Sequence, residues 1–169
     1  GTDGDFLKTQ GTGANPAWAA AGAGKLLAYQ YSTDTTDRSG TAGSEVITGF
    51  TFAYTPSATT SRLFISVAMP CYTFDASTSA IRVIWRIRTG TTTGGTELLK
   101  SIMGDYENET NVSAFNVLET FTWIHHPDTT SAQDYCLTVE DMSGTATWQC
   151  GALYNSCVGT ISVLEIDGS

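Results

Sequence analysis

The chain has 169 residues, which is enough for one ordinary domain but not comfortably for two. Its formal net charge of −9 leaves no basic excess to displace counterions from phosphates, which argues against a nucleic-acid partner and an anionic membrane surface. No apolar run approaches the roughly 18 residues of a membrane-spanning helix, so no membrane insertion is predicted.

The opening stretch, GTDGDFLKTQGTGANPAWAA, is rich in glycine and contains no isoleucine or valine. Such a stretch cannot form a strand or helix that buries much of itself. We therefore expect residues 1–24 to be an extended stalk or linker and residues 25–169 to be a head domain. Because the chain starts at Gly1 rather than Met, we also expect a fragment or a processed form.

After the stalk, short apolar runs alternate with loops rich in Thr, Ser, Gly and Asp, and charged residues make up only 15% of the chain. This pattern is typical of an all-β protein and predicts eight strands, which we label A to H. Their predicted cores are Leu26–Tyr31 (A), Ile47–Tyr54 (B), Leu63–Met69 (C), Ile81–Arg88 (D), Leu98–Met103 (E), Val117–Ile124 (F), Tyr135–Val139 (G) and Gly159–Ile166 (H). Eight strands without helical periodicity favour an antiparallel jelly-roll sandwich.

The faces of the strands fall into two groups. Strands B, D and G alternate, as where Phe50, Phe52 and Tyr54 share one face of B, so each should have one core face and one solvated face. Strands A, C, F and H are apolar on both faces, as where Phe64 and Ala68 lie opposite the apolar face of C. Both of their faces should therefore be buried.

In a two-layer sandwich only one face of each sheet meets the core, so the second apolar face of A, C, F and H needs another partner. Soluble monomers rarely leave such a large apolar face in water. Jelly-roll topology places these four strands in one sheet and B, D, E and G in the other. We therefore predict an oligomer that packs through the sheet of A, C, F and H.

Four stretches, in order along the chain, resemble parts of bacteriophage tail-fibre head domains. GTDGDFLKTQGTGANPAWA is similar to a linker of the form GTDGQxLxSNGTGxxPxWA, and the ending GTISVLEI is similar to the final strand of many heads. GFTFAYTPSATTSRLFISVAM resembles the strands around a P-x-S-x-x-S turn, and HHPDTTSAQDYCLTVE resembles the hairpin before the last strand. Pro70 to Thr120 shows no resemblance.

Members of that family are similar in shape to the trimeric jelly rolls of tumour necrosis factor and complement C1q. The resemblance therefore implies a homotrimer whose heads pack inner sheet to inner sheet around a threefold axis. It implies that the first residues run along this axis and that Trp18 closes the junction with the head. It also implies a place in the virion, at the distal end of a tail fibre, and a host-cell surface receptor that is a glycan or an outer-membrane protein.

The receptor site is predicted on the longest connections, which are A–B, C–D, E–F and G–H at residues 32–46, 70–80, 104–116 and 140–158. Successive loops of a jelly roll alternate between its two ends, so these four should meet at the tip far from the stalk. Long loops on a rigid scaffold commonly carry binding, and aromatic rings beside Asp and Asn suit sugars. The predicted receptor-binding residues are Tyr72, Phe74, Asp75, Tyr106, Asn108, Trp148, Tyr154 and Asn155. Alternatively, Trp148 packs its own loop beside Cys150.

An alternative site lies on the flank. Arg82, Arg86 and Arg88 share one face of strand D and could bind acidic sugars or phosphate. The simpler interpretation is an outer face whose arginines pair with nearby carboxylates.

No enzyme signature is found, since the sequence lacks GxSxG, HExxH, P-loop and dinucleotide-binding motifs. Asp105, Glu107 and Glu109 could form a glycosidase pair, but a solvated acidic loop is the simpler explanation. His125 and His126 point to opposite faces of strand F and cannot hold one ion together, although a threefold axis could gather three copies of one histidine. We predict no enzyme activity, no metal and no cofactor.

The four cysteines are Cys71, Cys136, Cys150 and Cys157, and the sequence cannot choose among their three possible pairings. No CxxC motif indicates a zinc site. The cysteines are either buried or idle thiols, or they include one loop disulfide, most plausibly Cys150 with Cys157.

Three other functions stay open: a secreted C1q-like adhesion or signalling domain, a structural trimerisation knob, and the tip of a polysaccharide depolymerase. In a secreted eukaryotic protein, Asn108 and Asn111 in NETNVS would carry sugars.

Overall fold

The computed structural model describes residues 5–8, 12–13, 15–20, 24–75, 82–104, 113–142, 146–151 and 158–168. Within these ranges the chain forms twelve β-strands and no helix, so none of the described segments is a helix that could cross a membrane. The strands are β1 (Asp5–Lys8), β2 (Ala17–Ala20), β3 (Leu26–Asp34), β4 (Asp37–Ala42), β5 (Val46–Tyr54), β6 (Arg62–Asp75), β7 (Arg82–Thr89), β8 (Glu97–Gly104), β9 (Ser113–His125), β10 (Gln133–Asp141), β11 (Ala146–Gly151) and β12 (Gly159–Ile166).

Ten of these strands build two antiparallel sheets. The four-stranded sheet has the order β5-β10-β7-β8. In the six-stranded sheet, β9 pairs along one edge of β6. Along the other edge, β12 lies between β3 and the first half of β6. Further along that edge, β11 lies between β4 and the second half of β6. Strands A, C, F and H thus share one sheet and B, D, E and G share the other, as the jelly-roll topology predicts.

The predicted count of eight strands is wrong. Each predicted core falls in one strand of the structure, apart from Ile81, which lies outside the described residues, but β1, β2, β4 and β11 are additional. The sequences of β4 and β11, DRSGTA and ATWQCG, have the Gly, Ser and Thr content of loops. They are strands because they pair with each other and β11 also pairs with β6.

Close packing fixes this extra pair of strands. Trp148 of β11 lies over Gly40 of β4, where an added Cβ would sit 2.8 Å from the indole Cζ2 atom. Gly151 ends β11 at φ +97°, and a Cβ there would lie 1.9 Å from the Thr36 carbonyl oxygen. Both positions therefore need glycine, which sequence composition alone reads as a loop signal.

The N-terminal segment differs from the extended chain that the sequence predicts. β1 and β2 pair antiparallel with each other, with Leu7 opposite Trp18, and form a separate two-stranded sheet. The segment folds back because residues 12 and 13 form a turn in which Gly13 adopts φ +88°. Trp18 is 59% exposed, so in the single chain it does not close a junction with the head.

The core lies between the two large sheets and is built from alternate residues of their strands. Phe121 and Trp123 of β9 are buried in it, which confirms the expectation for this face of strand F. The indole of Trp123 meets the ring of Tyr135 edge to face at 6.4 Å, and Trp85 meets Trp148 in the same way at 6.3 Å. Such aromatic pairs tie the two sheets together.

The alternation predicted for strands B, D and G is only partly confirmed. In β5, Phe50 and Tyr54 are buried while Thr51 and Ala53 are exposed, as predicted. In β7 and β10, however, the outer-face residues are buried as well as the core-face residues. Those outer-face residues are Ile84, Arg86, Cys136 and Thr138. Arg86 donates hydrogen bonds to Glu97 and Glu140, and Thr138 donates one to Glu45, so glutamates lie over part of this face.

A buried carboxylate joins the final strand to the turn after β5. Glu165 is fully buried and accepts hydrogen bonds from the Tyr54 hydroxyl at 2.8 Å, the Ser57 backbone N–H at 2.6 Å and the Ser61 hydroxyl at 2.5 Å. Burial alone would raise the pKa of Glu165, but the hydrogen bonds from Ser61, Ser57 and Tyr54 together hold it below its usual value. This network explains why the PSATTS turn contains two serines at that spacing.

Candidate functional site

Most of the strand ends on either side of the four predicted tip connections lie at one end of the molecule. The exceptions are Asp34, which ends β3, and Gly159, which begins β12, because they pair with each other in the middle of the sheet. Arg82 pairs with Gly104, Asp75 with Ser113 and Ala42 with Ala146, and the Met142 N–H donates to the Arg82 carbonyl oxygen at 2.8 Å. We call this the far end. The opposite end, where β3 begins and β12 ends, we call the entry end. The shared position of these strand ends agrees with the alternation of loops expected for a jelly roll, except where β3 ends and β12 begins.

Where the structure describes the predicted loops, they are largely strand. β4 occupies most of residues 32–46, β6 continues to Asp75, β9 begins at Ser113 and β11 lies within 140–158. Of the predicted binding residues, Tyr106 and Asn108 lie outside the described residues, as do Asp105, Glu107 and Glu109. Among the residues that the structure describes, the far end includes the strands that extend the six-stranded sheet.

Tyr154 and Asn155 also lie outside the described residues, within 152–157. Gly151 and Gly159, the nearest strand residues on either side, pair with Asp37 and Asp34. These anchors are at the middle of the sheet rather than at the far end. The described part of the predicted 140–158 connection includes β11, a strand that runs from the far end to the middle of the sheet beside β6.

Tyr72 and Phe74 lie on a sheet face and not in a loop. Leu63, Ile65, Val67 and Met69 of β6 face the core, so the even-numbered positions face away from it, on what we call the outer face. Tyr72 and Phe74 are both half-buried there. Asp75 is the last residue of β6 and pairs with Ser113.

The register surrounds Tyr72 with polar neighbours. Asn116 of β9 lies directly opposite it on one side, and Gln149 of β11 lies directly opposite it on the other, with Ser39 of β4 beyond. Directly opposite residues of antiparallel strands share a face and lie side by side. We call Asn116, Tyr72, Gln149 and Ser39 the aromatic–amide row. Asn116 and Gln149 are not among the residues predicted from the sequence, although the alternation in CYTFD indicates that strand C continues past Met69.

Trp148 is not available for stacking on a ligand. It is 5% exposed, lies over Gly40 and meets Trp85 edge to face. The prediction of Trp148 as a receptor-binding residue is therefore corrected in favour of the alternative, in which it packs within the protein beside Cys150. Its position in β11 explains this, since Gln149 faces outward and Trp148 must face the core.

The flank arginines are held by carboxylates. Arg86 donates to Glu97 at 3.0 Å and to Glu140 at 2.5 Å, and Arg88 donates to both oxygens of Glu45 at 2.5 and 2.8 Å. The hydrogen bond from Arg88 lowers the pKa of Glu45 although burial opposes this, and the same bond raises the pKa of Arg88. Two guanidinium groups thus face three carboxylates, which leaves no uncompensated positive charge for an acidic ligand at these two residues. Arg82 is half-buried at the start of β7.

The outer face of the six-stranded sheet is apolar near the entry end. Tyr29, Leu164, Phe64 and Ile124 lie directly opposite one another across β3, β12, β6 and β9. Tyr29 is 59% exposed, Phe64 38% and Ile124 56%, and Tyr31 beside them is also exposed. We call these five residues the apolar patch.

A band of hydroxyl groups separates the apolar patch from the aromatic–amide row. Ser162 pairs with Ser66 and Ser66 with Thr122, and the hydroxyls of Ser66 and Thr122 are 3.3 Å apart. Along its length this sheet face therefore passes from the apolar patch to hydroxyl groups, then to Pro70 beside the exposed Leu118, and then to the aromatic–amide row.

The histidines do not gather a metal site in the single chain. His125 is half-buried and its Nδ1 lies 2.7 Å from the Tyr135 hydroxyl, while burial lowers its pKa. His126 is exposed. Across the described ranges, no three His, Cys, Asp or Glu side chains are grouped so that they could hold an ion.

No family model matches the sequence, and no curated protein matches it significantly. Among solved structures, the chain is similar to the infectious bursal disease virus VP2 subviral particle, with 13% identity and a TM-score of 0.40 over 96% of this chain and 45% of that one. The structure of the Gx strain of the same virus gives 11% identity and a TM-score of 0.39 over 96% and 44%. This chain spans less than half the length of those structures, and a similarity this low assigns it no function.

Proposed function

We propose that this chain is the trimeric head of a bacteriophage tail fibre, located at the distal end of the fibre in the virion. In this proposal the head attaches the phage to a glycan on the host-cell surface. The observation that carries the proposal is the division of one sheet face into an apolar patch and an aromatic–amide row. The four stretches of sequence that resemble fibre heads support the same assignment.

The apolar patch supports the trimer. Tyrosine, phenylalanine and isoleucine side chains stand in one row across four strands, where water would otherwise cover them. Burying apolar surface is favourable by about 25 cal/mol per Å², so a second copy placed against this row gains stability with each side chain it covers. Closed rotational symmetry lets every copy use the same patch.

The patch lies near the entry end, beside the start of β3, where the N-terminal segment joins the head. Gly24 and Lys25 are fixed there by backbone hydrogen bonds with Asp167, at 2.7 and 2.8 Å. A trimer that forms through the patch therefore brings three N-terminal segments close together. This is the arrangement that a head at the end of a shared stalk requires.

The aromatic–amide row supports glycan binding. The ring of Tyr72 offers an apolar surface for a sugar ring, and the amides of Asn116 and Gln149 beside it can donate to and accept from sugar hydroxyls. The chain has a formal net charge of −9, and Arg86 and Arg88 are paired with glutamates. These charges favour an uncharged glycan over an acidic one.

The proposal assigns attachment without catalysis. If the head were a depolymerase, incubation with host polysaccharide would release reducing sugar. We expect no release.

The test is competition for the host surface. Purified head is added to susceptible cells before the phage, and free phage is counted after adsorption. We expect wild-type head to block adsorption and the variant Gln149→Ala, which keeps Trp148 and the rest of β11, to block it less. A head that remains trimeric but never reduces adsorption would contradict attachment.

A further inference from the structure

Two of the cysteines lie directly opposite each other inside the protein. Cys71 of β6 pairs in register with Cys150 of β11, and both are fully buried with free thiols. Cys136 is also free and buried, but it lies in β10 of the other sheet, on the outer face, with its sulphur 3.9 Å from the Thr92 carbonyl oxygen. The sequence could not choose among the pairings, whereas the register singles out one pair.

The register brings the two cysteines within reach of a disulfide. Directly opposite residues of antiparallel strands have Cα atoms about 4.5–5.5 Å apart, and disulfides span about 4.4–6.8 Å between Cα atoms. The two side chains also leave the sheet on the same side, because opposite residues share a face. In β6 that face carries Met69 and Thr73, which are buried in the core.

We propose that Cys71 and Cys150 form a cross-strand disulfide when the protein meets a small disulfide oxidant such as oxidised glutathione. The Cys71 thiol loses its proton and attacks one sulphur of the oxidant, which gives a mixed disulfide and releases one glutathione thiolate. The Cys150 thiolate then attacks the Cys71 sulphur and releases the second glutathione thiolate. The two protons pass to the two glutathiones, so two protein thiols are oxidised and one disulfide is reduced.

The bond would fasten β11, which runs between the middle of the sheet and its far end, to β6. β11 carries Gln149 of the aromatic–amide row, and it joins the molecule by pairing with β4 and β6. A link to Cys71 closes a loop from 71 to 150 and restricts the unfolded chain, which stabilises the folded state. This inference does not depend on the proposed function, since it follows from the register and burial alone.

Oxidation should be slow while the fold is closed. Burial raises the pKa of Cys150 to about 12 and that of Cys71 well above its usual value, so few thiolates are present at neutral pH, and neither sulphur is exposed. The thiols therefore stay reduced in a reducing cytoplasm and react when the sheet opens. Low denaturant, which opens the sheet more often, should speed the reaction.

The test uses the whole chain with oxidised glutathione, followed by alkylation of the remaining thiols and non-reducing proteolysis. Trypsin leaves Cys71 on residues 63–82 and the other three cysteines on residues 101–169, because no Lys or Arg follows Lys100. We expect these two peptides to be joined in the wild type and in the double variant Cys136→Ser/Cys157→Ser. The oxidised double variant should unfold at a higher temperature than its reduced form.

The double variant makes the test decisive, because only Cys71 and Cys150 remain in it and neither has been replaced. Joined peptides in the wild type that separate in this variant would overturn the proposal, as would oxidation that yields only glutathione adducts. In wild-type protein, an internal link within 101–169 in place of the joined peptides would show that two of the three cysteines on that peptide pair with each other, and would also overturn the proposal.

Discussion

The hydroxyl of Tyr54 donates a hydrogen bond to the carboxylate of Glu165 at 2.8 Å, and so connects β5 of one sheet with β12 of the other. Ser57 and Ser61, from the turn between β5 and β6, donate to the same carboxylate. The buried charge is acceptable because every hydrogen bond to it comes from a short, well-placed donor. These hydrogen bonds thereby connect β5, the turn after it and β12.

Replacing this carboxylate should weaken the fold. We expect Glu165→Gln to lower the free energy of unfolding by about 2 kcal/mol or more, because hydrogen bonds to a buried charge are replaced by weaker bonds to an amide. Denaturant unfolding followed by tryptophan fluorescence measures the change. The control is Asp134→Asn, which removes a carboxylate from an exposed position. Equal stability of wild type and Glu165→Gln would show that the network contributes nothing.

The same carboxylate makes stability depend on pH. The pKa of Glu165 is lowered in the folded protein, so the stabilisation is present above the unfolded-state value of about 4.3 and is lost as pH falls through the lower folded value. Glu45, whose pKa is also lowered, acts in the same direction. We expect stability to fall below about pH 4, and to fall less steeply in Glu165→Gln. Stability that is flat from pH 6 to pH 3 in the wild type would contradict this.

Trp123 should be one of the most sensitive core positions. It is buried in β9 and packs edge to face on Tyr135. Trp123→Ala should cost about 3–5 kcal/mol as a large-to-small change in a packed core. Trp18→Ala is the matched control, because the exposed indole of Trp18 should contribute little to the unfolding of a single chain. An unchanged melting temperature for Trp123→Ala would mean that this face is not packed as described.

A charge in the apolar patch should prevent assembly without unfolding the chain. Ile124 is exposed on β9, so Ile124→Glu can fold, but it would bury a carboxylate in the proposed interface. We expect this variant to be monomeric in analytical ultracentrifugation. Thr51→Glu, an exposed strand position on the other sheet, should leave assembly unchanged. If both variants assemble like the wild type, the apolar patch is not the interface.

Binding at the far end and binding at the flank make opposite predictions. We expect Tyr72→Ala to reduce adsorption to host cells while Arg86→Ala, which removes pairs with Glu97 and Glu140, affects stability more than adsorption. Each variant is first shown to have the assembly state of the wild type. Normal adsorption of Tyr72→Ala together with loss of adsorption in Arg86→Ala would place the site on the flank.

The fold could be predicted from the sequence wherever side chains alternate clearly. The even-numbered aromatics of β5 and the buried positions of β6 mark strands and faces, and the doubly apolar strands do share one sheet. β4 and β11 could not be predicted in this way, because they are stabilised by backbone pairing and by the contact of Trp148 with Gly40. The sequence of a polar, glycine-rich segment does not show which distant strand it pairs with, so such strands become evident only in the folded structure.

The candidate site was predicted less well than the fold. Aromatic content identified Tyr72, but only the register shows that Asn116 and Gln149 flank it. The same argument from aromatic content selected Trp148. Trp148 is next to Gln149 in β11 and therefore faces the core, where it is buried. The simpler interpretation of Arg86 and Arg88, an outer face whose arginines pair with carboxylates, is confirmed, but only the structure shows which glutamates pair with them.

The central claim is that two further copies of the chain cover the apolar patch. The molar mass in solution tests this claim most directly. Light scattering coupled to size exclusion at micromolar concentration should give about 54 kDa, which is three copies of the 18.0 kDa chain. On dilution, the molar mass should keep this value until the protein concentration falls below the dissociation constant of the trimer. A single species at 18.0 kDa across that range would contradict the claim, because the apolar patch would then face water in a stable monomer.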